Sequence, residues 1–585
     1  MSRLKRNREG DFKIAKRTLS WIYWAKQSLH MRELQEAIAI VPIKDIASCD
    51  EESADLDPDS ITDPEFIIDC CGSLILWDRG TDVVGFSHYT VSEFFMVNPD
   101  GNINSELYVA RVCLTYLCFE TFEDGMCGTP EKFLSRVEKY KLVPYIALYC
   151  GNHVSRSQAE KIVEDLVLSI LWSAPRRQAL FELYLNYGDG WRKYGPFPVG
   201  RYTASEPYCI YHGWAPLHFL SAWNLPSILD EILSTPSFDI IRRLSDISRK
   251  WSDGFSIGTS IRCGPDDLEL EPERSEHLTP PAPLHVACHY GNDAVVALLL
   301  SKFSSDPNMT YGQVRNTPLY TAAERGQEGC VKLLVQGGAE LRGGHFGDAM
   351  TVAAGENHGG IVKFLLENYP DLRARSAALT MAVGHSNLKL VKFLLDSGAD
   401  ADTYRDKPHL NHYENNLHAA ACHGNEAIVE LLLEAGADPN VAGGIYGTPL
   451  RAAASKGYER VVKILLKAGA YLEGHEITYR GVHGTALEAA ATEGQDRIVQ
   501  LLLEEGADVN HGGTGWLTPL RAAVHGGHEM TVKLLWEAGA YVNTQGGFQG
   551  TALSDAEVRG HKEIAKLLLE HWEHAPHMIT SYGYY

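Results

Sequence analysis

The sequence lacks both kinds of apolar segment that would direct it into or across a membrane. No stretch of its 585 residues approaches the roughly 20 consecutive apolar residues that span a bilayer. The amino terminus has no apolar core of a secretory signal, and the 12 cysteines stand at irregular spacings instead of forming a disulfide framework. These absences predict an intracellular protein of the cytoplasm, the nucleus or both, with no membrane partner.

Basic residues are also scarce. The chain has 53 Lys and Arg against 75 Asp and Glu, a formal net charge of -22, which repels a phosphate backbone and makes direct binding of nucleic acid unexpected. The one basic concentration opens the chain and contains Arg3, Lys5, Arg6 and Arg8. We interpret it either as a solvated helix face or as a nuclear import signal, with contact to DNA phosphates as a further alternative.

Motifs for catalysis and metal binding are few and stand in the wrong context. The segment "GFSIG" (254–258) matches the Gly-x-Ser-x-Gly elbow of esterases, but no apolar strand precedes it. Cys150 and His153, with Cys209 and His212, have Cys-x-x-His spacing and could together bind zinc, although the two pairs lie far apart. A buried cysteine and a histidine bonded to a carbonyl are the simpler explanation of each pair, so no metal site is predicted. The prediction is a protein that is not an enzyme, with no cofactor and no small-molecule substrate.

What the sequence does contain is an internal repeat with a period near 33 residues. Nine leucine-like positions mark it: Leu284, Leu319, Met350, Leu379, Leu417, Leu450, Leu487, Leu520 and Leu553. In the unit "GTPLRAAASKGYERVVKILLKAGAYLE", Thr448 is a predicted helix cap and Pro449 fits the first helical turn. Gly457 and Gly469 are predicted to end a first and a second helix. Each unit is therefore predicted to be a helical hairpin.

These units resemble the ankyrin repeat, which opens with T-P-L-x-x-A-A and closes with G-A-D-x-N. The closing motif stands here as "GADPN" (436–440) and "GADVN" (506–510), and the resemblance extends from Pro281 to about Trp572. A degenerate unit from Trp214 is predicted to start the stack. The resemblance implies a solenoid whose concave face of first helices and hairpin tips binds a protein.

Two sets of residues are candidates for contact with a partner on this face. Aromatic side chains and one histidine precede the leucine-like positions in five units: Phe346, Tyr446, His483, Trp516 and Phe548. They either pack against the next hairpin or form an aromatic ridge, since Trp and Tyr are common at interface hot spots. Arg451, Glu488 and Arg521 follow that position on consecutive first helices, as a row that could also pair internally on a solvated face.

The first hundred residues are predicted to form a helix-turn-helix, a third helix and a β-hairpin, which together make a winged helix. The helices are expected at about 11–25 and at 31–40, and the hairpin turn at 79–82. The segments "TLSWIYWAKQSLHMRELQEAIAI" and "CCGSLILWDRGTDVVGFSHYTVSEFF" resemble the part of fungal NACHT-ankyrin proteins that follows the nucleotide-binding module. In that family a helical spacer and ankyrin repeats come next. This sequence contains no Gly-Lys pair, so the loop that holds the nucleotide in that family is missing.

The stretch "FSHYTVSEFF" (86–95) combines His, Thr, Ser and Glu but is predicted to be structural. Phe86, Val91, Phe94 and Phe95 are expected in the core. Thr90 is expected to cap a helix, with Glu93 at the acidic position of a capping box. His88 is expected to bond to backbone.

The predicted fold is mainly α: an ankyrin-repeat solenoid preceded by a small winged-helix-like α/β domain and a helical spacer. The expected segments are a winged-helix-like domain at 1–100 with an acidic loop at 45–63, a spacer at 101–200, a degenerate unit at 201–250, a polar inserted loop at 251–280, nine repeats at 281–572 and a tail at 573–585. The predicted function is a non-enzymatic scaffold or adaptor for a protein partner. The alternative is a nuclear coregulator that acts through a bound transcription factor.

Overall fold

The structure is a computed structural model, and the contacts within it divide the chain into two compact units, Met1–His345 and Phe346–Tyr585. The residues described are 9–43, 56–97, 103–125, 127, 129–187, 216–234, 282–310, 316–343, 348–403, 415–441, 443, 447–473, 484–511, 518–542 and 551–572.

The first unit begins with a small helical domain around a three-stranded antiparallel sheet. Its elements in chain order are α1 (Glu9–Trp24), β1 (Leu29–His30), α2 (Met31–Ala39), α3 (Pro64–Cys71), β2 (Ile75–Asp78), β3 (Val83–Phe86) and α4 (Tyr89–Val97). The strand order is β1-β3-β2, with Leu29 opposite Val84 and Ile75 opposite Phe86. This arrangement agrees with the predicted winged-helix-like domain, and the two-residue strand β1 is the element that the sequence pattern did not reveal.

Two predictions for the stretch 86–95 are wrong. Thr90 lies inside α4, and the side chain that accepts a hydrogen bond from its backbone amide is His88, through Nδ1 at 3.3 Å. Of the four residues expected in the core only Phe95 is buried, and Phe94 is exposed. The helix therefore starts earlier than predicted and rests on the sheet through one ring.

Five spacer helices follow: α5 (Glu106–Leu117), α6 (Pro130–Lys139), α7 (Val143–Ser157), α8 (Lys161–Trp172) and α9 (Ala174–Tyr187). The buried carboxylate of Glu36 on α2 joins the first domain to this spacer. It accepts hydrogen bonds from the backbone amides of Lys141 and Leu142 at 2.8 and 2.9 Å and from the Tyr116 hydroxyl at 2.9 Å. Since α7 starts at Val143, Glu36 satisfies amides at the beginning of a helix from another part of the chain.

Three helical hairpins complete the first unit. They are α10 (Pro216–Ala222) with α11 (Pro226–Ser234), α12 (Pro283–Tyr290) with α13 (Asp293–Ser301), and α14 (Pro318–Glu324) with α15 (Glu328–Gln336). The predicted degenerate unit is the first of these, and it stacks on the second as expected. Gly151 on α7 leaves room for the ring of Trp223, which a Cβ at that position would strike.

Seven further hairpins lie within the described residues of the second unit. Their helices are α16 (Ala349–Gly355), α17 (Gly359–Asn368), α18 (Leu372–Gly384), α19 (Leu388–Asp396), α20 (Asn416–His423), α21 (Glu426–Glu434), α22 (Pro449–Lys456), α23 (Glu459–Lys467), α24 (Ala486–Thr492), α25 (Asp496–Glu504), α26 (Pro519–Gly526), α27 (Glu529–Glu537), α28 (Ala552–Arg559) and α29 (Lys562–Trp572). First helices pack on first helices, and second on second. All nine predicted units thus form hairpins.

The caps predicted for these hairpins are confirmed. The Thr448 hydroxyl accepts a hydrogen bond from the Arg451 amide at 3.2 Å, one turn into α22. Gly457 ends that helix in the left-handed conformation at φ 84°, and Gly469 follows α23 at φ 91°. A residue with a Cβ rarely adopts this conformation, so glycine fixes where each helix ends.

Candidate partner-binding surface

Most of the predicted contact residues lie outside the part of the chain that the structure describes. These are the hairpin-tip residues Phe346, Tyr446, His483, Trp516 and Phe548, and the basic residues Arg3, Lys5, Arg6 and Arg8. Their role in binding a partner, or in nuclear import, stays a prediction.

The charged row on the first helices lies within the described residues. It was expected on a solvated face, but two of its three residues are buried. Glu488 on α24 and Arg521 on α26 retain only 7% and 6% of their accessible surface, and Arg451 on α22 is half-buried. The three residues line up because they follow equivalent leucines in stacked hairpins. Most of their polar surface faces the interior of the array, which leaves little of it for a partner.

A fourth member of the row, Asp555 on α28, was missed by the sequence reasoning. Its carboxylate accepts a hydrogen bond from Arg521 Nε at 2.5 Å, in a salt bridge whose two side chains are almost fully buried. The signal was present in the sequence. In the two preceding units the residue after the row position is small, Ala489 or Ala522. The last unit has an aspartate, Asp555, at that position.

The other end of the row is held against the backbone before α24. A Cβ on Gly484 would lie 2.5 Å from Glu488 Oε2 and 3.0 Å from Arg451 Nη2, so only glycine fits there. Burial lowers the pKa of the Arg451 guanidinium, and the neighbouring Glu488 carboxylate opposes that shift. The charges of Arg451, Glu488, Arg521 and Asp555, called here the charge ladder, balance along consecutive helices.

In two repeats of the second unit an asparagine of the closing motif binds its hairpin to the next one. The Asn440 side chain donates to the Gly469 carbonyl at 3.1 Å and accepts from the Tyr471 amide at 2.7 Å. Asn510 makes the same pair of bonds with Gly539 at 3.2 Å and Tyr541 at 2.8 Å. Both side chains use the donor and the acceptor of one amide, so they fix the spacing and the orientation of neighbouring hairpins.

In other units a carboxylate takes the place of this asparagine and makes half of the contact. Asp402 accepts from the Asp438 amide at 3.1 Å, and Glu473 accepts from the Asp508 amide at 2.7 Å. A carboxylate has no proton to donate to the next carbonyl when ionised. We call the paired bonds of Asn440 and Asn510 asparagine clamps. The links through Asp402 and Glu473, which only accept a hydrogen bond, are weaker.

Of the two Cys-x-x-His pairs considered as an alternative zinc site, only Cys150 and His153 lie among the described residues. His153 on α7 is buried, with Nε2 2.8 Å from the Tyr145 hydroxyl and Nδ1 3.0 Å from Glu106 Oε1, so both ring nitrogens already have partners. Cys209, His212 and the segment 254–258 lie outside the described residues. Among the residues that are described, no cluster of three or more His, Cys, Asp or Glu side chains could hold a metal ion.

Neither α2 nor α3 presents a cluster of basic residues, and Arg32 is the one exposed basic residue of the two helices. The helix α2 is almost wholly buried. Its buried residues are Met31, Glu33, Leu34, Gln35, Glu36, Ala37 and Ile38. The helix α3 contains Glu65 and Asp69, is capped by Asp63 and has no lysine or arginine. A helix that reads DNA exposes donors toward bases and phosphates, so α2 and α3 are poorly suited to direct contact with DNA.

No helix in the described ranges has the length and apolar character needed to cross a membrane.

The repeats match one known family. Residues 268–343, 284–376, 350–443, 417–513 and 487–578 each match the family described as ankyrin repeats (3 copies), so the matched segment runs from 268 to 578, more than half of the chain. The match includes nothing of the first 267 residues, and no curated protein matches the chain. Ankyrin repeats are in general modules of protein–protein interaction. The stacked hairpins with their caps confirm the predicted fold class, and the chain belongs to the ankyrin-repeat family.

Proposed function

We propose that the protein is a non-enzymatic regulatory scaffold or adaptor that holds a protein partner on the concave face of its ankyrin array. The observation that supports this most directly is the way the second unit is built. Within it the Arg521–Asp555 salt bridge joins the last two hairpins, and Asn440 and Asn510 each bind one hairpin to the next. A surface fixed in this way loses little conformational entropy when a partner binds, which favours affinity.

The charge ladder supports the array instead of reading the partner. Because Glu488 and Arg521 are buried, substitution of either would change the stability of the hairpins before it changed a contact. Recognition is then left to residues between the hairpins, where Trp516 and Phe548 stand in consecutive units. Large aromatic side chains supply much of the energy in protein interfaces, and this makes them the residues to test.

Affinity purification from cell extract with quantitative mass spectrometry tests the proposal. We compare the full chain with Trp516→Ala/Phe548→Ala and with a control, Met530→Ala/Leu569→Ala, which removes exposed apolar side chains from the second helices α27 and α29. The expected result is a protein enriched by the full chain and by the control but lost with the aromatic variant. Equal enrichment by all three, with unchanged circular dichroism, would contradict the proposal.

The alternative, a nuclear coregulator acting through a bound transcription factor, depends on the basic residues before α1. The structure sharpens its test. The helix α1 begins at Glu9, and its residues Ala15 and Leu19 lie in the core. A deletion limited to 2–8 removes Arg3, Lys5, Arg6 and Arg8 without touching that helix. A tagged protein that is nuclear with these residues and cytoplasmic without them would favour the coregulator, whereas an intact protein that is never nuclear excludes it.

We further propose that the first unit shares its origin with the segment that follows the nucleotide module in fungal NACHT-ankyrin proteins. The order of α1 to β3, the five spacer helices and the repeats support this relation. The sequence has no Gly-Lys pair, so these residues would have kept the fold without the nucleotide site. The absence of detectable ATP binding in an equilibrium assay is the expected result, and stoichiometric binding would contradict it.

A further inference from the structure

The helix α4 carries an apolar surface that the proposed function does not use. Six of its nine residues are apolar or aromatic, and only Phe95 is buried, at 1% exposure. Its ring lies 5.8 Å from Phe86 and 6.2 Å from Tyr23, measured between ring centroids. The helix therefore sits on the domain through one aromatic cluster.

Its outer face is more apolar than the inner one. Tyr89, Met96 and Val97 keep 66%, 67% and 77% of their accessible surface. They lie at helical spacings of seven and eight residues and so share one face, together with Glu93. Single exposed apolar residues are ordinary, but a whole helix face of them is typical of a site that binds something.

The net charge of the segment that carries this face indicates what it binds. Residues 56–97 contain eight acidic residues and one arginine, which leaves a formal charge of -7 with histidine neutral. The arginine, Arg79, forms a salt bridge with Glu65, and Glu93 stands exposed on the apolar face itself. An anionic lipid surface would be repelled by this segment, whereas a basic partner would be attracted.

We propose that the outer face of α4 is a docking surface for a basic amphipathic segment of another protein. Apolar side chains of that segment would lie on Tyr89, Met96 and Val97, and its lysines or arginines would face Glu93. Helices that bind in this way place their apolar face against an apolar surface, with charge setting orientation and selectivity. The helix α4 is not one of the ankyrin hairpins, so a protein that also binds a partner on its array would join two partners.

Fluorescence anisotropy with the full chain and two synthetic peptides tests the proposal. One peptide is a leucine–lysine amphipathic helix of about 15 residues, long enough to form a helix, and the other has the same leucines with glutamate for lysine. We expect the lysine peptide to bind and the glutamate peptide to bind at least about tenfold more weakly. In Met96→Ser/Val97→Ser the Kd of the lysine peptide should rise about tenfold, since two side chains no longer contribute apolar burial.

Matched variants separate docking from general attraction to an acidic protein. Leu388→Ser/Met530→Ser removes two exposed apolar side chains elsewhere and should leave the Kd unchanged. Glu93→Lys should weaken binding and reduce its dependence on salt. An equal loss in the control pair, or equal binding of the two peptides, would overturn the proposal. Tighter binding after deletion of residues 2–8 would also overturn it, because the chain's own basic segment would then occupy the face.

Discussion

Residues 9–187 of the first unit and the hairpins of the second unit use buried polar groups in different ways. In the first region Glu36 reaches the Leu142 amide across 106 residues of sequence. In the second unit Arg521 reaches Asp555 across 34 residues, and Asn440 contacts Tyr471 across 31, which is one repeat. The first region thus resembles a globular domain, in which a small number of long-range contacts hold distant parts of the chain together. The second is quasi-one-dimensional, and its stability accumulates from neighbouring pairs.

The largest effect should come from removing the long-range contact. Glu36→Ala leaves two backbone amides and the Tyr116 hydroxyl without their buried acceptor and should cost about 5 kcal/mol of unfolding free energy. Hydrogen exchange followed by mass spectrometry should show lost protection in α2, α5 and α7 together. Glu36→Gln, which keeps one acceptor oxygen, should lose less. Glu65→Ala, at an exposed salt bridge with Arg79, is the matched control and should change stability by less than about 1 kcal/mol.

A break in the charge ladder should be nearly as costly but confined to a few hairpins. Asp555→Ala leaves the Arg521 guanidinium buried without this carboxylate and should destabilise the last two hairpins by about 3–5 kcal/mol. Exchange should rise in α26 to α29 and stay unchanged in α16 to α21. The double variant Arg521→Met/Asp555→Ala should recover most of the loss, because two apolar residues can replace a buried pair. Loss of protection across all seven hairpins would contradict the quasi-one-dimensional description.

Acidification should weaken the first unit more than the second. Burial lowers the pKa of His153 to about 4 and of His285 to about 3 in the first unit, and of His418 to about 4 in the second. Above pH 6.5 the folded and unfolded forms are both neutral, so pH has no effect through these groups. As the pH falls below 6.5 the unfolded chain takes up protons that the folded chain does not, and stability is lost until about pH 4.

Each such histidine should cost about 2 kcal/mol between pH 6.5 and 5. Hydrogen exchange at both pH values, corrected for the intrinsic rate, should show the greater loss in the first unit. For His153, where Glu106 partly opposes the effect of burial, His153→Gln should flatten the pH dependence in α5 and α7. His88→Gln, an exposed position, should leave it unchanged. A larger loss in the second unit would contradict this assignment.

The smallest effect should come from the asparagine clamps. Asn510→Ala removes two exposed hydrogen bonds between neighbouring hairpins and should cost about 1 kcal/mol. Glu473→Asn should instead gain about 0.5 kcal/mol, because an amide can also donate to the next repeat. Denaturant midpoints measure both changes in stability. The comparison variant is Asn368→Ala, whose side-chain amide bonds only within its own helix in the described structure. Equal loss in Asn368→Ala would show that the clamps are not special.

Within the repeats, the helix ends set by neighbours in sequence were predictable. Thr448 caps its helix and Gly457 ends it because both depend on a few adjacent residues. Features that depend on residues far apart in the sequence were not predictable. The strand β1 has two residues and exists only by pairing with β3, and Phe94 follows an apolar pattern yet faces outward. The predicted row was correctly aligned but its burial was not foreseen, since burial depends on how closely the hairpins stack.

The sequence by itself determined the repeat, the ends of its helices and the absence of a Gly-Lys pair, because these depend on local conformation and on residue identity. Tertiary structure alone decided that Arg521 and Asp555 form a buried pair, that Glu36 serves a helix 106 residues away and that α4 keeps an apolar face outward. Each of these depends on the distance and burial of groups far apart in the chain, and a charge or an apolar side chain has the same symbol in the sequence whether it is buried or exposed.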